Sequence, residues 1–482
     1  MAITIISNLT ANKFYPSSNP INTTVSSNNS GKCNFRYICD IYLNNTKVFT
    51  DKIFPDPITG YGFFQLSRVI QDYIKTTLSK TSYTQILNSA ANTTAPSSAF
   101  SFYLRFGEEY DNTTTCDGDI IQYVNLSTSN TSYVFESAID YEDFPTFNYT
   151  NYLFATQSGS KLFLTNTNRD INITYNDPYS IDFISLSNSA PSYIIKLTTY
   201  DYSNSPTVAT FSNSLGQRRR FRIACGPIDI NRITQSSLIN PLVKRYTIEV
   251  LSGSNVVSEV FNFNVKPQKA FNTRIGFVGL LGSLEHFTFY HRNRKSFDIQ
   301  RKQYSKLLQS NYSGQWKYEV GDRGDTIYGV QARETHAVSS YCTKEESNWL
   351  YEMWMSPEVW TYKRPELLPF RPFQEGIYVK FWVTGEHGLA AGDKIFTFTE
   401  NSDYNDLFTI TSVNGNIVDC GLLYSIYGAT MEGTCGVLHK DEAWQILPIT
   451  ISDNTVEVKQ RTSRPIEYAL NYQMAYTKNT LR

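Results

Sequence analysis

Charge is scarce in this chain. Only 18% of its 482 residues are Asp, Glu, Lys or Arg, and 43 basic against 44 acidic groups leave a net charge of −1. So balanced a chain exerts no overall pull on nucleic acid or an anionic membrane, and any such contact must come from a local cluster. Long apolar runs are missing too. The most apolar short run, Ile275–Leu281, is far too short to cross a bilayer. The opening MAITIISNLTANKFYPSSNP has neither the basic head nor the apolar stretch of an export signal. The expectation is synthesis in a cytosol, with no membrane insertion. Histidine is rare: His286, His291, His336, His387 and His439 fall in no HExxH and in no metal-ligand spacing. Seven cysteines are scattered, odd in number and without a CxxC pair. Cys33 and Cys39 lie in one apparent strand, about 20 Å apart along it, whereas a disulfide needs Cα atoms within about 7 Å. They read as reduced, mostly buried thiols. There is no GxSxG elbow, no phosphate-binding Walker loop and no kinase motif set.

Aromatic residues and small polar residues are abundant. Tyr (34) and Phe (30) lead a 15% aromatic content, and Asn, Ser and Thr fill much of the remainder. Aromatic and β-branched side chains suit pleated, half-buried surfaces, so the composition predicts a mainly β chain. The N-x-[ST] triplets at Asn22, Asn92, Asn112, Asn125 and Asn148 are what such a composition produces by chance.

Three regions follow from the patterning. Residues 1–135 predict a β-sandwich-like domain: CNFRYICDIYL, the turn Asn44-Asn45 and VFTDKIF form a hairpin. Leu66, Val69, Ile70, Tyr73 and Ile74 recur at helical spacing after it. Residues 136–267 predict a second sandwich-like domain in tandem, closed by a hairpin of YTIEVL and VVSEVFNFNV. RRRFRIACGPIDINRI before it reads as a strand and a short helix. Residues 268–482 predict a β-rich assembly domain, in which EHFTFY and SFDIQ pair across the turn HRNRK. A helix spans 343–356: Thr343 and Glu346 form a capping box, and Trp349, Leu350, Met353 and Trp354 make an apolar stripe. Its partner is the last long strand, where Ile466, Tyr468, Leu470, Tyr472, Met474 and Tyr476 share one face. Between Leu368-Pro369 and Leu447-Pro448, Gly-rich turns and short strands predict a small β-barrel inserted at about 371–442. The Ser/Asn/Thr-rich stretches 17–30, 88–98 and 125–132 read as loops.

GFVGLLG has the wrong spacing for a dinucleotide-binding turn, so its glycines are expected to serve turns and close packing. Asp117 and Asp119, and Asp322 and Asp325, fit no twelve-residue calcium loop and read as Asp/Gly turns. The Arg-Gly-Asp triplet at 323–325 carries no further pattern. Two basic clusters remain: Arg218, Arg219 and Arg220, and Arg292, Arg294 and Lys295 with Arg301 and Lys302 behind them. Each is either a solvated loop or hairpin tip, a contact to acidic patches on a neighbouring subunit, or a non-specific contact to DNA phosphates in a channel.

Three stretches taken together carry a resemblance. They are YICDIYL with GYGFFQLSRVIQDYI; FNTRIGFVGLLGSLEHFTFYHRNRKSFDIQRKQY; and TKEESNWLYEMWMSPEVW with LPITISDNTVEVK and the final strand. In that order they resemble a structural protein from the tails of phages that infect Bacteroidales, the crAss-like group among them. The inserted HGLAAGDKIFTF looks like a small β module that recurs in virion proteins. It departs from shorter members, in which the strand after SPEVW runs on almost directly. The resemblance implies a non-enzymatic virion component of the tail or neck, a hub, ring or adaptor without cofactor, made in the bacterial host cytoplasm. It implies a closed ring of this chain, six- or twelve-fold, touching adjacent ring, hub or fibre proteins around a DNA passage. Loops 17–30 and 88–98 and the insert are the candidate contacts. A receptor- or glycan-binding adhesin is the rival reading, because exposed aromatic residues on β domains also stack on sugars. A β-fold glycosidase is a second rival, since the separation of its paired acids is not legible in a sequence.

Overall fold

Asn44 and Asn45 both adopt left-handed backbone, at φ +47° and +66°, and turn Arg36–Leu43 back onto Thr46–Ile53. Asparagine tolerates that region better than other side chains, which is why two of them mark a tight hairpin. In this computed structural model the described residues are 3–74, 86–89, 99–111, 113, 115–154, 159–175, 177–185, 192–214, 220–234, 236, 238–240, 242–267, 272–305, 309–312, 314–318, 324–363, 368–384, 388–399, 407–423, 436–440, 445–453, 466–476 and 478–479. The architecture is mainly β, 58% strand and 8% helix. The chain divides into one unit of Met1–Lys266 with Val278–Glu285, and another of Pro267–Phe277 with His286–Arg482.

The first unit holds two pairs of sheets. In the first pair, Ile3–Ser7, Asn22–Ser27 and Gly62–Gln65 form a three-stranded sheet. It shares a core with a larger sheet ordered Phe14–Pro16, Ser132–Phe135, Ala99–Asp111, Arg36–Leu43 and Thr46–Ile53. Alternation puts Tyr37, Cys39, Ile41 and Leu43 into that core, together with Phe102, Leu104 and Phe106. The short helix Ser67–Tyr73 docks there through Ile70, with Leu66 and Ile74 buried at its ends. The expected loop at 17–30 is corrected: Asn22–Ser27 is the central strand of the small sheet. Its β-branched Thr23 and Val25 are buried, and Thr23 donates its hydroxyl to the Ser7 carbonyl at 2.6 Å. Thr and Val at alternate positions outweigh the polar composition.

The second pair sets Leu153–Phe154, Ser180–Ser185, Arg220–Ala224 and Leu87–Ser89 against a sheet ordered Asp170–Ile173, Phe261–Val265, Val243–Ser252, Ser192–Asp201 and Pro206–Ser214. Phe261, Phe263 and Val265 face its core while Asn262 and Asn264 face away. Pro227 opens the short helix Pro227–Thr234, where its missing N–H costs nothing. The strand Leu87–Ser89, from the first region of the sequence, pairs with Arg220–Ala224.

In the second unit one sheet runs Leu284–Phe289, Thr273–Val278, Val359–Lys363, Gln445–Ile451, Ile466–Met474, Asp325–Cys342 and Arg292–Ser305. Ile466, Tyr468, Leu470, Tyr472 and Met474 are all buried on one face; Tyr476 lies past the strand and is exposed. The helical segment is Lys344–Leu350 followed, after Tyr351, by Glu352–Met355. Its capping box is formed: Glu346 N–H donates to Thr343 Oγ1 at 3.2 Å and Thr343 N–H to Glu346 Oε2 at 2.8 Å. Trp349 packs against Phe277 and Phe287, and Trp354 stands edge-on to Tyr468 at 5.1 Å. Gly276 leaves room for the Trp360 indole: a Cβ there would lie 2.4 Å from Cε2 and Nε1. Gly276→Ala is therefore expected to cost about 1–3 kcal/mol, read as a lowered urea midpoint; an unchanged midpoint would show that the indole moves freely.

One expectation for this unit changes. EHFTFY and SFDIQ do not pair, because Leu284–Phe289 and Arg292–Ser305 stand at opposite ends of the strand order. Arg292–Ser305 pairs instead with Asp325–Cys342, a longer and closely matched partner. The insert is one seven-stranded sheet, from Leu368–Glu375 to Gly436–Lys440, folded over its own core of Phe370, Val379, Phe381, Ile395 and Val418. The host strands on either side of it pair directly, Val359 with Ile449 through Lys363 with Gln445, which brings the insert's ends together.

Candidate interaction site

Arg292–Ser305 and Asp325–Cys342 build an unusual ribbon. Near its root, Thr335–Cys342 also pairs with Ile466–Gln473, so Val338 and Tyr472 share the core face. Beyond Thr335 the ribbon's only further described partner is Lys478–Asn479, beside Gln331 and Ala332. Cross-strand partners in an antiparallel pair share a face. Lys295 opposite His336, Phe297 opposite Glu334 and Ile299 opposite Ala332 thus continue the core face outward. That face is covered on one strand and open on the other: Glu334 and Ala332 are buried, while every residue of Arg292–Ser305 is exposed, with Phe297 at 49% and Ile299 at 45%. Tyr304, Ile327 and Tyr328 are equally open toward the tip.

The ribbon is also basic. Arg292, Arg294, Lys295, Arg301 and Lys302 stand against one acid, Asp298, along this strand. Lys295 is partly engaged: its Nζ lies 2.6 Å from Glu334 Oε1, which His336 Nε2 also meets at 2.9 Å. The His336 ring stacks on Tyr472 at 4.9 Å. Arg292 and Arg294 have no carboxylate partner among the described residues. Among the described residues no strand pairs with the outer edge of Arg292–Ser305, the terminal strand of its sheet, and such an edge is a template for another strand.

The other basic cluster is different. Arg218 and Arg219 lie outside the described residues. Arg220 was expected as an interface or DNA-channel residue, and that is corrected: it is only 2% exposed. It donates through Nε to Asp182 Oδ2 at 3.1 Å and through Nη2 to the Gly282 carbonyl. Arg222 grips the same carboxylate at 2.7 and 2.8 Å. Both faces of Arg220–Ala224 are buried. Phe221 and Ile223 enter the sandwich core, and the opposite face is closed by Phe135, Leu281 and Ile184. The Gly282 turn that meets Arg220 has φ +82°, and a Cβ there would overlap the Glu136 carbonyl. The glycines of GFVGLLG thus serve a turn and a close approach.

Two features escaped the sequence reading. Cys33 and Cys116 are joined in a disulfide, which corrects the expectation of reduced thiols throughout; the short-range test on Cys33 and Cys39 could not see a partner 83 residues away. Cys39, Cys225 and Cys342 are free and buried, and Cys420 is free and half-buried. The disulfide pins a turn in which Asp111 accepts from Thr113 N–H and Gly118 N–H, both at 2.8 Å. Asp117 and Asp119 are exposed there, and no metal-holding group of three ligands occurs among the described residues. The second feature is the strand that follows, Ile120–Thr128. Among the described residues it pairs only with Ala99–Asp111, and it leaves Ile120 (51%), Ile121 and Val124 (52%) exposed. Apolar residues on both faces of IIQYVNL are the signal that could have marked it. Asp322, Arg323 and His387 lie outside the described residues, as do 90–98. Asp325 accepts a hydrogen bond from Ser305 across the ribbon.

No protein-family model matches the chain, and no curated protein matches it in sequence.

Proposed function

We propose that this chain is a structural protein of a phage tail or neck, a hub, ring or adaptor that joins copies of itself and neighbouring virion components into a closed assembly around the DNA passage. The observation that carries the reading is the ribbon. A fourteen-residue terminal strand exposed on both faces, with half-open Phe297 and Ile299 on the continuation of the core face, is costly in an isolated chain and useful in an assembly. Aromatic and arginine side chains are the types enriched where proteins meet. Arg292 and Arg294, without a carboxylate partner among the described residues, suit an acidic neighbour or the phosphates of a threaded duplex. The resemblance of the three sequence stretches to Bacteroidales phage tail proteins points the same way, and a heterologous contact repeated around an axis closes a ring.

Sedimentation velocity of the purified chain over a wide concentration range tests this. A discrete oligomer, or one that builds with concentration and shows a central hole by electron microscopy, is the expected result. A lone chain at every concentration would sink it.

One observation favours the adhesin as a second reading. On the outer face of the insert, Tyr378 and Trp382 are 39% and 50% exposed, two positions either side of Lys380, which is held by Glu375 and Asp419. Flat rings flanking fixed polar groups suit a sugar. Calorimetric titration with host surface polysaccharide separates the readings: binding by a monomer that loses it on Trp382→Ala supports the adhesin.

A further inference from the structure

An open edge calls for another strand, and the chain's other edges can be compared as partners. Resting on the assembly reading above, we propose that the basic edge Arg292–Ser305 of one copy adds, antiparallel, to the edge Ile120–Thr128 of a second copy. Its own duplicate is a poor partner. Antiparallel self-pairing centred on Phe297 sets Arg292 opposite Lys302 and Asn293 opposite Arg301, so like charges meet or cations gain nothing. That repulsion disfavours a two-fold dimer and leaves a heterologous contact, the kind that builds rings.

Of three longer edges among the described residues, one suits a basic partner. Thr46–Ile53 is blunted by Lys47 and Lys52. Pro206–Ser214 begins with a proline, which blunts that edge. Ile120–Thr128 has no charge of its own, is open along most of its length, and is led in by exposed Asp117 and Asp119. Its nine residues span most of the eleven, Arg292–Lys302, that precede the register shift at Lys302/Gln303. Laid antiparallel, the two edges bring Arg301 and Lys302 beside Asp117 and Asp119. Phe297 and Ile299 then share a face with Ile121, and the two open backbone rows pair as far as the bulge at Asn125. The disulfide at Cys116 holds the acidic turn at the head of that edge.

Charge swapping tests the pairing. In sedimentation velocity, R301E/K302E and D117K/D119K are each expected to raise the concentration needed for assembly about tenfold or more, and the effect is expected to shrink with added salt. The variant combining all four substitutions restores opposite signs and is expected to return to within a few-fold of the parent. Unchanged thermal melting of each variant, followed by circular dichroism, shows that folding is retained. If the parent assembles while either reversal leaves assembly untouched, or the combined variant fails to recover, this pairing is wrong and the assembly reading stands. If the parent never assembles, both are wrong.

Discussion

Asp182→Ala is expected to remove about 3–5 kcal/mol of stability, the loss seen when one partner of a buried ion pair is deleted. The carboxylate is wholly buried, and the side chains it holds, Arg220 and Arg222, are 2% and 7% exposed. Deletion leaves two guanidinium groups in a dry interior, and neither can shed its proton. Burial by itself would push the Asp182 pKa up, but Arg222 and Arg220 outweigh it and hold the carboxyl below its usual range. The sign follows from linkage: a group whose folded pKa is depressed adds stability above its unfolded value, about 3.9, and that stability is lost as pH falls through the folded value. Urea midpoints measured from pH 7 down to pH 2 should therefore fall below about pH 4 in the parent. In Asp182→Asn, which keeps the shape but lacks the charge, the midpoint should start lower and depend less on pH. An Asp182→Ala chain within about 1 kcal/mol of the parent would mean that the arginines find other partners, and that the carboxylate does not hold this joint together.

The same cluster shows where sequence reading succeeds and where it stops. Asn44-Asn45, the Thr343/Glu346 capping box and the period-two run from Ile466 to Met474 are local signals, and the structure carries all three. RRRFRIA reads as a charged strand with one wet face. Nothing near it says that the wet face will be covered by Phe135 and by a turn 62 residues on, at Gly282. For the same reason Arg292–Ser305 was legible as a strand but not as the far edge of its sheet. Its pairing with Asp325–Cys342 competes with a nearer hairpin and wins on length. The borrowed strand Leu87–Ser89 is three residues long, too short for any periodicity to register. At the candidate site the basic residues were visible and their burial was not. Composition alone put Arg220 and Arg294 in one class, and packing separates them.

Cys33→Ser is expected to cost about 4–5 kcal/mol, because Cys33 and Cys116 close a loop spanning 83 positions and a cross-link of that length restricts the unfolded chain strongly. The native side agrees: Asp111 N–H donates to the Cys33 carbonyl at 2.9 Å, and Lys32 sits over the Tyr110 ring at 4.0 Å, so the two segments already lie together without the bond. The serine variant should therefore fold to the same sheet order and unfold at lower urea. Reductant should lower the parent's midpoint to that of the variant and leave the variant where it is. The remaining described thiols are already reduced and, being buried or half-buried, give alkylating agents little purchase. Burial pushes Cys342 up to about 12 with help from Glu346, does the same for Cys420 beside Asp419, and raises Cys39 well above its ordinary value. A parent chain whose midpoint ignores reductant would mean that Cys33 and Cys116 are not joined in solution. The turn bearing Asp117 and Asp119 would then be held only by the hydrogen bonds of Asp111, with the open edge Ile120–Thr128 less firmly presented to a second copy.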